Sequence, residues 1–162
     1  MQLRKATTQD QDQLLDLVLH LQLHVEKSNP HLWCLTTTGR QNLVHDVTDM
    51  LSDPHGVVLI VEHESHIVGF AYGQILQRTD YDPPKVGQIS KIFVQQDQRR
   101  RGVGTQLIRE LYAYFKAEQV RHISLRYVVG NIGAEAFWSQ LGFSPIISIA
   151  YADRETLQEH LK

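Results

Sequence analysis

The run Gln98-Arg99-Arg100-Arg101-Gly102-Val103-Gly104-Thr105 constrains this chain more than any other stretch. The residues before it, Gly87-Gln88-Ile89-Ser90-Lys91-Ile92-Phe93-Val94, are rich in β-branched and aromatic side chains and predict a strand. After it, Val103, Leu107, Ile108, Leu111 and Phe115 recur at helical spacing, which predicts a helix reaching about Glu118. The run is therefore a strand-to-helix junction that carries three arginines and two glycines. The first N–H groups of a helix have no intrahelical partner, and the helix dipole adds partial positive charge there. Glycines let a ligand approach the backbone, and arginine is a bidentate phosphate donor. Together these features describe a site for a di- or triphosphate-like anion. The competing reading is a charged turn whose arginines are simply solvated. Two other glycine–phosphate patterns are excluded. No Lys follows Gly104, as a Walker loop would require, and Leu107 occupies the third-glycine position of a dinucleotide fingerprint.

The rest of the chain supplies elements to either side of this junction. Gln2 to Ala6 reads as a short edge strand, and Thr7 or Thr8 as the cap of a helix from Gln9 to about Glu26. That helix has an apolar face of Leu14, Leu15, Val18, Leu21, Leu23 and Val25, and Ser28-Asn29-Pro30 ends it. Pro30 to Thr38 reads as a loop, followed by a second helix from about Gly39 to Leu51. Val57–Val61 and Ile67–Leu76 flank a short polar piece and predict an antiparallel hairpin. Thr79 to Lys85 is expected to be a loop. Beyond the junction, 121–128 alternates and predicts a strand, Asn131 caps a helix from Ile132 to Gln140, and Gly142 is its C′ residue. Ser144 to Tyr151 is apolar and β-rich and predicts a last strand, and Asp153 could cap a terminal helix through Leu161. Helices interleaved with strands predict one α/β domain over residues 1–162, a mixed central sheet flanked by helices.

Composition narrows the function classes. With 16 Lys and Arg against 18 Asp and Glu, the formal charge is −2, so no global field favours nucleic acid or an anionic membrane. The arginines sit in one turn, not along a face with interleaved aromatics, and no nucleic-acid partner is expected. No apolar run approaches the ~20 residues that span a bilayer, so no membrane partner is expected either. Met1–Lys5 lacks the apolar core of a signal peptide, and the lone Cys34 fits a reducing compartment, so the expected location is cytoplasmic. His20 and His24 have the spacing of a zinc pair but no Glu at the metalloprotease position, so no metal is expected.

Arg99-x-x-Gly102-x-Gly104 resembles the Gln/Arg-x-x-Gly-x-Gly/Ala motif of the GCN5-related N-acetyltransferases, the GNAT family. A second block, Asn131-Ile132-Gly133-Ala134-Glu135-Ala136-Phe137-Trp138-Ser139-Gln140-Leu141-Gly142-Phe143, is similar to that family's Asn-x-x-Ala-x-x-Phe-Tyr-x-x-Leu-Gly-Phe segment. The two blocks follow in the family's order and spacing, and the resemblance covers roughly residues 57 to 147. It implies a GNAT-like fold with splayed central strands and acetyl-CoA as co-substrate. It also implies a coenzyme site formed by Arg99, Arg100, Arg101, Gly102, Val103, Gly104, Thr105, Asn131 and Phe137. The unpaired backbone of Ile92, Phe93 and Val94 would take the pantetheine arm as if it were another strand, a pairing that sheet edges favour on physical grounds. The two N-terminal helices and the loop between them would wall the acceptor site, bringing His24, His31, Trp33 and Cys34 to it.

The resemblance also exposes departures in the chemistry. Amine acetylation needs a neutral amine, and near neutral pH a base or a water chain must remove a proton. The family often places a carboxylate base four residues before the strand's terminal valine; here that position is Ser90. Where a tyrosine often acts as acid, Trp138 stands, whose indole N–H donates a hydrogen bond but not a proton. Candidate catalytic residues are therefore Ser90, Trp138 and Glu62, with Glu64, Tyr72, Tyr81 and Tyr127 as further groups. The implied activity is transfer of an acetyl group to a primary amine of a small molecule or peptide. The alternative is a non-enzymatic acyl-CoA-binding regulatory module on the same fold. The sequence leaves the acceptor amine and a homodimer open.

Overall fold

A computed structural model describes residues 1–161, which divide into two compact units, Met1–Arg126 and a second beginning at Tyr127. The first holds strands β1 (Gln2–Lys5), β2 (Gly56–His63), β3 (His66–Gln77), β4 (Lys85–Val94) and β5 (Ile123–Leu125). It also holds helices α1 (Gln11–Ser28), α2 (Pro30–Trp33), α3 (Thr37–Ser52) and α4 (Val103–Ala117). The strands form one sheet in the order β1-β2-β3-β4-β5. Every pairing is antiparallel except β4 with β5, which is parallel, so the sheet is mixed, as expected from the sequence.

The two faces of the sheet are built differently. Leu14, Leu17 and Val18 of α1 and Leu43, Val47 and Met50 of α3 pack in one buried cluster with Val58, Ile60, Ile67, Phe70 and Tyr72. The opposite face receives α4, whose Val103, Leu107, Leu111 and Phe115 recur every four residues and are at most 2% exposed. Two glycines allow that close approach: a Cβ on Gly73 would sit 2.8 Å from Leu111, and one on Gly87 would sit 2.9 Å from Phe115. The β2–β3 hairpin turns through Glu64 and Ser65, both with positive φ, the geometry that matches the twist of the flanking strands.

Charge adds to the ladder with β2 in holding β1 to the rest of the unit. Arg4 donates two hydrogen bonds to Asp10 at 2.8 Å and reaches Glu62 at 2.9 and 3.2 Å. Asp10 also accepts from the Thr7 backbone N–H at 2.7 Å, closing the chain's entry into α1 through a short 3-10 turn.

Several boundaries differ from the sequence reading. The loop expected over Pro30–Thr38 contains α2, capped by the Asn29 side chain, which accepts from Leu32 N–H. α3 starts at Thr37 because Thr36 caps it through Gly39 N–H. The strand expected over 121–128 is three residues long. Ser144–Tyr151 forms no strand, and Ile146, Ile147 and Ile149 are exposed. A β-rich composition makes a strand only when a ladder partner accepts its backbone groups, and this stretch has none among the described residues.

The second unit holds α5 (Ile132–Gln140) and α6 (Arg154–His160). Asn131 caps α5 by accepting from Ala134 N–H, Gly142 follows its end at φ 86°, and Asp153 caps α6 through Thr156 N–H. All three are as the sequence predicts.

Candidate active site

The junction that dominates the sequence lies between β4 and α4 in the first unit. Gly102 is the N-cap residue of α4 in a left-handed conformation, φ 82° and ψ −2°, a shape that glycine adopts without steric cost. A Cβ built on Gly102 would meet nothing within 4 Å, so the space beside this backbone is open. The first helical hydrogen bond runs from Gln106 N–H to the Gly102 carbonyl at 2.9 Å. The N–H groups of Val103, Gly104 and Thr105 precede it and are directed out of the helix end. Arg99, Arg100 and Arg101 are exposed around this end, and Arg100 is also in the left-handed region, at φ 62°. A left-handed glycine, unbonded N–H groups and three cations form a cradle whose chemistry fits a pyrophosphate.

β4 offers the second half of the site. Its ladder with β5 is three pairs long, Gly87 with Ile123, Gln88 with Ser124 and Ile89 with Leu125. From Ser90 to Val94 β4 continues beside β3 only. Among the described residues, Ile92, Phe93 and Val94 therefore lie on a stretch with one unpaired edge, leading straight into the cradle. An extended ligand with alternating donors and acceptors can add to such an edge. The Val94 carbonyl is not idle: Arg99 donates its Nε–H to it at 2.9 Å.

Ser90 stands at the start of this unpaired stretch. β4 pairs Lys91 with Tyr72 and Ile89 with Gly73, so Ser90 is the extra residue of a bulge. Its Oγ lies 2.9 Å from Gln74 Nε2 and 3.3 Å from Gln88 Oε1. Nothing in the sequence pattern marks Gln74 or Gln88, because the pairing that joins them crosses strands. Phe93, further along, stacks with His20 of α1 at 6.2 Å between ring centroids, which brings α1 over this part of β4.

The structure does not bring Glu62 to Ser90. Glu62 is on β2, held by Arg4 at the β1 side, with β3 standing between β2 and β4. Tyr72 is buried on β3, and burial followed by its hydrogen bond to Asp53 holds the phenol well above its ordinary value. Tyr81 is exposed beneath the Arg78 guanidinium, and His31, Trp33 and Cys34 are exposed in and after α2. Gln98, just before the arginines, is buried with its Nε2 donating to Asp97 and its Oε1 without a partner among the described residues.

In the second unit Trp138 is packed, not presented. Its ring lies edge-on to Phe137 at 4.9 Å and to Phe143 at 5.4 Å. Asn131 is occupied as the α5 cap, and Gly130 N–H donates to Glu135 at 2.8 Å, tightening the same turn.

Comparison with known proteins bears on the fold and the family. The chain is 37% identical over 76 residues to an uncharacterized N-acetyltransferase of Methanocaldococcus jannaschii, a segment covering 47% of this chain and 34% of the relative. It thus spans about a third of that relative's length. A variant of the BH1408 protein of Bacillus halodurans superposes with a TM-score of 0.82 at 22% identity, over 94% of this chain and 99% of the other. The aminoglycoside N-acetyltransferase AAC(6')-Iy, solved in complex with CoA, superposes with a TM-score of 0.72 at 20% identity, over 94% and 99% of the two chains. These likenesses describe a shared fold. The model of the acetyltransferase (GNAT) family matches residues 19–143, which include the β4–α4 junction and the block from Asn131 to Phe143, and the chain belongs to that family.

Proposed function

We propose that the protein is an acetyl-CoA-dependent N-acetyltransferase that acts on a primary amine of a small molecule or peptide. The observation that carries the reading is the left-handed Gly102 at the start of α4, opening an arginine-lined anion cradle at the end of an unpaired strand edge. Arg99, Arg100 and Arg101 supply charge to a pyrophosphate, and the Val103, Gly104 and Thr105 N–H groups supply directed donors. Ile92, Phe93 and Val94 orient an extended arm along β4. When bound, acetyl-CoA supplies an acyl group activated as a thioester. The protein's own task is to hold an amine against that acyl group, with Ser90 at the opening of the strand edge. A thiol with pKa near 8.5 is a tolerable leaving group close to neutral pH, so the absence of an acid at Trp138 is not prohibitive.

Titration calorimetry with CoA, paired with release of CoA thiol from acetyl-CoA across an amine panel, tests this reading. Saturable binding with amine-dependent thiol release is expected. Binding without turnover of any amine would leave an acyl-CoA-binding module, and no heat at millimolar CoA would remove the coenzyme from the account altogether.

A further inference from the structure

Ser90 is the exposed end of a hydrogen-bonded chain that runs inward to a carboxylate. Gln74 Nε2 lies 2.9 Å from Ser90 Oγ and 2.9 Å from Gln88 Oε1. Gln74 Oε1 is 3.0 Å from the Tyr72 hydroxyl, which is 2.5 Å from Asp53 Oδ2. The chain thus crosses from β4 through β3 to the residue that caps the end of α3.

Proton counting gives the chain a direction. The Tyr72 hydroxyl has one proton and two acceptor neighbours. A carboxylate is the stronger acceptor, so the proton goes to Asp53. The Gln74 carbonyl then faces the lone pairs of the phenol oxygen, which is repulsive. Turning the Gln74 amide over about its last torsion removes the conflict, since O and N are distinguished only by the hydrogen bonds they make. Its NH2 then donates to Tyr72, and its carbonyl accepts from the Ser90 hydroxyl and from a Gln88 amide turned the same way. Every donor along Ser90, Gln74, Tyr72 and Asp53 now points toward the carboxylate, an alignment in which each bond polarises the next. At the exposed end this leaves Ser90 Oγ with its proton committed inward and a lone pair directed outward.

We propose that this chain positions the acceptor amine: Ser90 Oγ accepts an N–H of the incoming primary amine, and Gln74, Tyr72 and Asp53 hold the serine proton away from it. The inference rests on the acetyl-transfer reading and names where the amine docks. Two independent features support the location. Ser90 is the bulged residue of β4, the local device that re-aims a side chain. It is also the first residue past the last β4–β5 pair, where the unpaired edge begins. The chain replaces a charged base with a neutral acceptor, so it takes a group that donates an N–H or O–H and gives no hydrogen bond to a carboxylate or phosphate group. Ser90 touches the substrate in this scheme, whereas Gln74, Tyr72 and Asp53 are positioning residues.

The test is steady-state CoA-thiol release with spermidine, L-lysine, tobramycin and an alanine dipeptide as probe amines. The variants are Ser90→Ala, Ser90→Thr, Gln74→Leu, Tyr72→Phe and the double Ser90→Ala/Tyr72→Phe. Loss of one outward hydrogen bond raises KM for the best probe about tenfold in Ser90→Ala, Gln74→Leu and Tyr72→Phe. CoA affinity by calorimetry stays unchanged, and Ser90→Thr, which keeps the hydroxyl, remains near wild type. Because the residues act as one unit, the double variant is no worse than Ser90→Ala alone. If Tyr72→Phe proves poorly folded, the exposed Ser90 and half-buried Gln74 variants carry the same comparison. Unchanged KM in Ser90→Ala, or multiplying effects in the double variant, overturns the chain while leaving acetyl transfer intact. CoA binding with no turnover of any probe overturns both.

Discussion

Arg99 folds back five residues along the chain to donate its Nε–H to the Val94 carbonyl at 2.9 Å, with its guanidinium carbon 5.7 Å from the centre of the Phe93 ring. The side chain thereby ties the end of β4 to the start of the anion cradle. It uses one donor on the strand and keeps the positive charge beside the edge where an extended ligand would lie. Among the described residues its Nη groups take no protein acceptor, so the fork remains open to a phosphate.

Arg99→Ala is expected to weaken CoA binding about tenfold or more, since a hydrogen bond to a charged group is worth about 1.5–3 kcal/mol. Stability should move by less than about 0.5 kcal/mol, as for most exposed substitutions. Arg99→Lys should recover only part of the affinity, because an ammonium has no planar fork. Calorimetry with CoA beside thermal melts measures both quantities, and a lowered melting point at unchanged Kd would make Arg99 a strand clamp alone.

Gly102→Val should abolish CoA binding and cost roughly 1–2 kcal/mol through its left-handed backbone. The space around a Gly102 Cβ is empty, so the cost comes from φ and not from a clash. Gly102→Asn, a residue that tolerates this region, should restore most of the stability but not the affinity, because its side chain still occupies the ligand's path. A denaturant midpoint together with Kd for each variant decides this; normal affinity in Gly102→Val would mean that the phosphates lie elsewhere.

The Arg4–Asp10 pair gives the fold an acid limit. Hydrogen bonding from Arg4, its largest cause, holds the Asp10 carboxyl at about 2 against an ordinary 3.8. A carboxyl depressed in the folded state stabilises fully above its unfolded value and loses that contribution as pH falls from about 3.8 through about 2. The contribution is about 2 kcal/mol. Urea midpoints near pH 5 and near pH 2 should therefore differ more in wild type than in Arg4→Met, where Asp10 has lost its partner. Equal pH slopes in the two proteins would show that other carboxylates dominate.

Trp138→Ala should destabilise its unit by about 3–5 kcal/mol, as removal of a packed aromatic does. The indole meets Phe137 and Phe143 edge-on, at 4.9 and 5.4 Å, and that packing is what the truncation removes. Trp138→Phe keeps much of the contact and should leave kcat within a few-fold of wild type, since general-acid catalysis, worth about 10²–10⁴-fold, has no donor to lose here. A thousandfold fall in kcat for the Phe variant, with an unchanged melting point, would assign the indole a chemical role.

The β4–α4 junction was legible in the sequence because its signals are local. The run of β-branched and aromatic residues ended at Val94, helical spacing began at Val103, and glycine at 102 stood where a left-handed residue was needed. The hairpin, the Asn131 and Asp153 caps and the Gly142 terminator were readable for the same reason, each being decided within a few residues. What the sequence could not supply was pairing across strands. The bulge at Ser90 exists only because β3 and β4 meet in one register, and the route from Ser90 through Gln74 and Tyr72 to Asp53 joins residues up to 37 positions apart. Tertiary structure alone also placed Glu62 with Arg4, by setting β1 beside β2. The stretch 144–151 shows the same rule from the other side: side chains suited to a strand do not make one, because the backbone groups of a strand are satisfied by a neighbour and not by themselves.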